Sequence, residues 1–456
     1  MSGSTPPDPS SAAPLSRSVR GVGYSVMGSL VPALAAFCAG PLIAHELGVG
    51  GRGEASAATA PMLLAANLFT LGLPDALTYF VARRSASAWQ LFGRACRWIV
   101  PVGVTGSIVL YLLAPTLSAG DADLMALMRV VAAALTPALV ATLIRGVAIG
   151  RQQWRRVALD SSLGQVLRLV ALLLLAALGQ LTVSAVSIAT AAATFIGVVA
   201  YIRRPSTRNH HVQDRPVAST RAILRFGAAV WAGSISGVLF LNLDQVLMTP
   251  LSSHYELGLY AVAVALSQTA SIPANAARGV LFSVEARSPD LQRLANVSRQ
   301  SALMTFIVAI PIGAVAPIAL DVLFGHGFIA AEPMVYILLA SAVLGANGSV
   351  AGLGLSARGR PWLRTTALTC GFITNLLFII LLVPSTGGVG ASWATLVGSL
   401  TTSLVNIALL HHVYDMRIRD FFVPRAADFR TFWVIGAKSL SAVTHLRSRR
   451  SPRPES

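Results

Sequence analysis

The sequence predicts an all-α, polytopic membrane protein of about twelve transmembrane helices in two six-helix lobes, on three observations. Hydrophobic residues make up 54% of the 456, and charged residues only 12%. That is less polar surface than a soluble protein of this size presents to water. Apolar runs long enough to cross roughly 30 Å of hydrocarbon recur from one end to the other, so no stretch is left for a separate water-soluble core. The cations gather in alternate loops, as short loops retained on the cytoplasmic face do.

The first 20 residues are rich in Ser and Pro and read as a disordered cytoplasmic segment. Arg17 and Arg20 then precede an apolar run too long for a signal-peptide core and followed by no small-residue cleavage site, so the first helix is expected to stay attached. Spans are expected near 21–44, 56–81, 98–117, 124–147, 158–179 and 184–202, and again near 227–249, 257–280, 302–321, 333–356, 365–384 and 390–412. They define an N-lobe at 21–202, a cytoplasmic linker at 203–226, a C-lobe at 227–412 and an Arg-rich amphipathic tail at 413–456. The tail sets Phe421, Phe422, Phe432 and Trp433 among Arg425, Arg430 and Lys438, a composition suited to an inner leaflet with anionic lipids. The His210-His211 pair in the linker reads as part of a solvated loop rather than a metal site.

The formal charge of +17 marks topology, not nucleic-acid binding. With both termini inside, all of the 35 Lys and Arg fall on the cytoplasmic side except Arg52, which lies outside, and Arg129, Arg145 and Arg168, which lie within helices. The cell membrane is the expected location. Cys38, Cys96 and Cys370 lack the spacing of a disulfide framework or a zinc site.

A shift of about 205 positions equates Arg20 with Arg225, Gly28 with Gly233 and Gly53 with Gly258, and brings Val81-Ala82-Arg83 near Val284-Glu285-Ala286-Arg287. Six helices per half give both halves one orientation, the parallel repeat that encloses a cavity able to open to either side.

Ionisable groups at membrane depth are costly and normally face an interior or a wet cavity. Arg168, with Gln165 one turn earlier, falls near the midplane and could neutralise a phosphate as it leaves water, or brace helices by pairing with Asp160. Arg129 and Arg145 sit nearer the two ends of the fourth span, where an interfacial anchor is the competing role. Asp244, with Asn242 and Gln245, could bind a coupling proton or sodium ion, or pair with an arginine across the lobes. Asn67, Gln268, Asn275, Asn347, Asn375 and Asn406 are candidates for sugar hydroxyls, or for bonds between helices. Pro74 interrupts the second span and gives Asp75 a hinge, unless Asp75 pairs with Arg83 or Arg84. Arg52 and Glu54 form either an outer gate or a surface ion pair.

The stretch from Pro41-Leu42-Ile43-Ala44-His45-Glu46-Leu47-Gly48 through Gly51-Arg52-Gly53-Glu54 to Gly72-Leu73-Pro74-Asp75-Ala76-Leu77 resembles the opening of Wzx-type polysaccharide flippases. Leu243-Asp244-Gln245-Val246-Leu247-Met248 and Leu257-Gly258-Leu259-Tyr260-Ala261 are similar to that family's seventh and eighth helices. The resemblance spans most of 17–412 and implies a V-shaped bundle of the MOP exporter kind, related to MATE transporters, with alternating access. It also implies a polar cavity for a polyprenyl-linked oligosaccharide, with a glycan polymerase or glycosyltransferases as neighbours. The first helix departs from cation-lined relatives in its scarcity of basic residues.

An enzyme acting on such lipids would require an acidic metal cluster or a base in a sizeable loop, and the outer loops do not much exceed a dozen residues. The Gly48–Gly53 cluster lacks the lysine of an ATP-binding loop. The reading is therefore a flippase without catalytic residue, metal or cofactor beyond a coupling proton or sodium ion; a MATE-like antiporter is the alternative.

Overall fold

The computed structural model describes residues 13–83, 88–201, 219–272 and 290–422, with Asn275, Leu281 and Glu285; for 13–27 and Ser29 it describes the backbone alone. Residues 203–218 of the expected linker and 423–456 of the expected tail lie outside the described residues.

The described residues are helical throughout. The N-lobe holds α1 (Ala13–Leu68), α2 (Leu73–Arg83), α3 (Ala88–Leu117), α4 (Ala122–Ala132), α5 (Leu135–Gly150), α6 (Trp154–Ala177) and α7 (Val183–Ile196). The C-lobe holds α8 (Thr220–Leu251), α9 (His254–Ala270), α10 (Leu291–Ala319), α11 (Glu332–Ala357), α12 (Pro361–Tyr414) and the short α13 (Arg419–Phe422). Nine helical stretches among the described residues are long and apolar enough to cross a bilayer. Two of the nine, within α1 and α12, fold back on themselves, and α9 supplies a further rod.

Glycine makes both fold-backs. Gly48 (φ 66°) and Gly387 (φ 57°) adopt backbone angles that a side chain disfavours. Across the first bend, Arg52 Nη1 donates to the Gly40 carbonyl at 2.5 Å, although a straight helix would separate these residues by about 18 Å. Across the second, Gly371 lies against Gly398 and Thr402. The bend at Gly387 frees the Gly388 N–H, which donates to Glu256 Oε2 at 2.8 Å. A buried backbone donor is thereby satisfied by a side chain of a neighbouring helix.

Two expected spans are interrupted. The second crossing combines the return arm of α1 with α2, broken at Leu71 (φ 49°) and Gly72 (φ 62°), and the fourth divides into α4 and α5. Pro74 lies in the first turn of α2, where a proline forfeits no helical hydrogen bond; the break belongs to Leu71 and Gly72 instead. Side chains cap the helix starts: Asp121 on α4, Thr182 on α7, Ser219 on α8, Ser253 on α9 and Asp290 on α10. Because Ser219 caps α8, residues 220–226, expected in the linker, are helical. The backbone is likewise helical from Ala13, within the segment expected to precede the first span.

The two ends of the bundle differ in charge. Arg83, Arg151, Arg225, Arg293 and Arg358 mark a basic end, and Glu46, Glu54, Asp121, Asp321 and Glu332 an acidic end. Two large apolar clusters, each centred in one lobe, reach across the seam: Ala57, Ala58 and Leu124 join the C-lobe cluster, and Ile223 joins the N-lobe cluster. Leu77, Leu91, Ile99, Leu135 and Leu143 build one in the N-lobe, and Leu259, Val262, Leu338, Ile379 and Val383 one in the C-lobe. On the outer faces Leu112, Leu241 and Trp362 stay about two-thirds exposed, as lipid-facing side chains do. At the basic end of the C-lobe, fully buried Glu285 accepts from Arg293 Nε at 2.9 Å and Arg358 Nη2 at 3.0 Å, tying three segments together.

Candidate functional site

The lobes meet along one seam, where the return arm of α1 and then α2 run against α8 and α9. Ala60 and Leu64 pack on Val246, Val238 and Leu243 midway along it. At the acidic end Gly53 and Gly258, the pair equated by the 205-residue shift, lie against one another. A β-carbon on Gly53 would strike the His254 carbonyl, and one on Gly258 the Val49 carbonyl. Absence of a side chain thus lets two helix backbones touch. His45 Nε2 approaches the Val322 carbonyl at 3.3 Å, and Glu54 meets His254 at 3.7 Å, both across the lobes.

At the basic end Gly72 abuts Gly227, and Trp231 Nε1 donates to the Leu68 carbonyl at 2.5 Å. The Tyr79 ring stacks on Phe226 with centroids 4.6 Å apart, and Phe80 meets both rings edge-on. The seam is therefore closed at both ends.

Beside the acidic-end closure, Arg52 and Arg168 stand on α1 and α6, which pack on each other through Ala39, Ala55, Leu169 and Leu172. Arg52 extends from the return arm of α1, spans the fold-back to Gly40, and lies 5.5 Å from the centroid of Phe324 in the opposite lobe. Arg168 rises from α6, and its only hydrogen bond among the described residues is a long one, Nη1 to Gln165 Oε1 at 3.4 Å. In both side chains Nε is buried without a partner. No carboxylate forms an ion pair with either among the described residues.

The alternative partner for Arg168 is occupied. Asp160 accepts from Arg145 Nε at 2.6 Å and from Tyr201 Oη at 3.2 Å, so Arg145, not Arg168, braces α5 to α6. Cations at membrane depth whose N–H groups lack partners are unfavourable unless an anion joins them. Paired N–H donors of guanidinium suit phosphate oxygens in particular.

The other expected residues scatter. Arg129 lies over Tyr111, 4.6 Å from its centroid, on the α3–α4 face. Asp244 is buried inside the C-lobe, accepting from Tyr260 Oη at 2.5 Å and Gln245 N at 2.8 Å, with Thr395 Oγ1 3.1 Å from the same Tyr260 oxygen. It pairs with no arginine across the seam. Asn242 donates to its own helix at Val238, as Asn67 does at Leu63. Gln245 is half-buried, whereas Gln268 and Asn275 are exposed. Asn347 bonds Ser298, and Asn375 and Asn406 are buried in the C-lobe. Asp75 is exposed in the first turn of α2, and Arg83 is turned to the Tyr79 ring. Glu54 pairs with His254 rather than Arg52. Phe226, Gly227, Trp231 and Phe324 were not singled out by the sequence; Gly53 and Gly258 carried a signal through the repeat.

Two helical lobes joined in this way define a multi-pass, all-helical membrane protein. The chain belongs to the polysaccharide biosynthesis protein family, whose model matches residues 18–284. Among solved structures it is similar to "Lipid II flippase MurJ, inward closed conformation", with a TM-score of 0.69 and 12% identity over 91% of this chain and 93% of that one. It is also similar to an inward-facing multidrug resistance MATE family transporter of the MOP superfamily, with a TM-score of 0.63 and 14% identity over 88% of this chain and 100% of that one. The outward-facing form of such a transporter gives a TM-score of 0.59 and 16% identity over 89% and 96%. No curated protein sequence matches the chain.

Proposed function

We propose that this protein is a flippase that moves a polyprenyl-(pyro)phosphate-linked oligosaccharide from the inner to the outer leaflet by alternating access. The observation that carries the reading is that Arg52 and Arg168, half-buried beside the seam, each keep a buried Nε without a partner and form no ion pair with a carboxylate among the described residues. A phosphate-bearing headgroup supplies the missing counter-charge, while its lipid tail stays in the bilayer. Membership in a polysaccharide biosynthesis family and a fold shared with a lipid II flippase support the same substrate class. We place the basic end on the cytoplasmic side by the retention of cationic loops. The two lobes, 21–202 and 227–412, would rock about the seam, opening each closure in turn, with 203–226 linking them and the tail at 413–456 against anionic lipid or a neighbouring glycan enzyme.

The test is translocation of a fluorescent polyprenyl-linked oligosaccharide by the purified chain in liposomes, with drug-driven proton release measured separately. Arg168→Ala and Arg52→Ala are each expected to lower flipping at least about tenfold, the loss of one charge-assisted contact, with folded protein retained. Full flipping in both variants would remove the arginines from the mechanism. A second reading, a proton- or sodium-coupled drug antiporter, draws on the buried Asp244–Tyr260 pair and the MATE fold. A response in the proton assay alone would favour it.

A further inference from the structure

Below the stacked rings of the basic-end closure a cavity of about 450 Å³ opens between the lobes. Tyr79, Phe80 and Arg83 of α2 form one wall, and Arg225, Phe226 and Ala229 of α8 form the other. Arg83 lies over Tyr79 at 4.5 Å, and Arg225 is exposed; neither has a carboxylate partner among the described residues. No acidic side chain lines the described wall, so the cavity carries two positive charges on an aromatic floor. Arg225 stands five residues past Thr220, about 8 Å along the helix, the depth at which headgroups meet hydrocarbon.

We propose that this cavity binds the phosphate of an inner-leaflet lipid headgroup, held by Arg83 from one lobe and Arg225 from the other. An anion bridging the two cations removes their mutual repulsion and joins the lobes, so an occupied cavity holds the basic-end closure shut. The ring faces and alanines receive the glycerol and first methylenes. The site is separate from the Arg52–Arg168 pair, so it stands whatever the protein carries, although it places the basic end on the inner leaflet.

The experiment uses the full chain purified in detergent after exposure to vesicles of phosphatidylglycerol or of phosphatidylcholine, neither containing polyprenyl lipid. Retained lipid is counted by native mass spectrometry, and a third arm offers inorganic phosphate alone. Phosphatidylglycerol is expected to stay bound to the native chain, while phosphatidylcholine, whose headgroup brings its own cation, is lost. Arg83→Gln and Arg225→Gln should each reduce retention about tenfold. Arg417→Gln, an exposed cation elsewhere at the basic end, should leave it unchanged. Ala229→Trp, which fills the cavity and keeps both charges, should reduce retention as well. Equal retention in Arg83→Gln, Arg225→Gln and Ala229→Trp overturns the site. Thermal stabilisation by inorganic phosphate equal to that by phosphatidylglycerol, and lost in the same variants, overturns the lipid as its source.

Discussion

The acidic-end closure and the basic-end closure join the same two lobes, yet they are built differently. At the acidic end the contact is backbone on backbone, made by two glycines that the internal repeat equates, with Glu54 and His254 at its rim. At the basic end Gly72 meets Gly227, which the shift does not equate, and the joint is thickened by Tyr79, Phe80, Phe226 and Trp231. Residues equated by a repeat can touch each other only on the axis relating the halves, so the acidic-end contact lies on that axis and the basic-end contact lies off it. A joint on the axis resembles a pivot, whereas an aromatic joint off the axis can part by sliding.

The largest expected effect breaks the pivot. Gly53→Leu drives a side chain into the His254 carbonyl, and overpacking of about 3 kcal/mol shifts the closed-to-open balance on the order of a hundredfold. Spin labels at Gly50 and Tyr255 should then report a longer distance, while labels at Ala82 and Arg221 report none. Unchanged distances at the acidic end would mean that the glycines merely fill space. A smaller effect follows from Tyr79→Ala, which removes the Phe226 stack and the Arg83 contact, together about 2 kcal/mol. It should lengthen only the Ala82–Arg221 distance; opening at both ends would show one rigid joint in place of two. The smallest effect is that of Glu54→Gln. Its pair with His254 has both side chains more than a third exposed, so no more than about 0.5 kcal/mol is lost, and raised salt should erase the difference from the native chain.

Much of the fold was legible because the bilayer imposes a one-dimensional code. Apolar length and cationic loops depend only on neighbours in sequence. The breaks inside crossings were less so. Pro74 predicts a break in the second span, but the chain breaks two and three residues earlier, because a proline in a first turn fits a helix and a residue at positive φ does not. The site was legible in part. Arg168 is legible as a cation at the midplane, but the sequence puts Arg52 outside, beside Glu54, and nothing along the chain brings the two arginines together. The sequence offers Asp160 only to Arg168, eight residues on in the same helix, whereas its actual partner Arg145 belongs to the preceding helix.

The sequence by itself determined that the chain crosses a membrane many times and that one end is basic and the other acidic. Hydropathy and charge are sums over local side chains, so they survive without coordinates. Tertiary structure alone decided which arginine the one buried N-lobe carboxylate neutralises and which two are left without one. It also decided that the repeat-related glycines meet. Those outcomes follow from the fold-back at Gly48 and from the approach of helices remote in sequence, where a single β-carbon separates contact from collision.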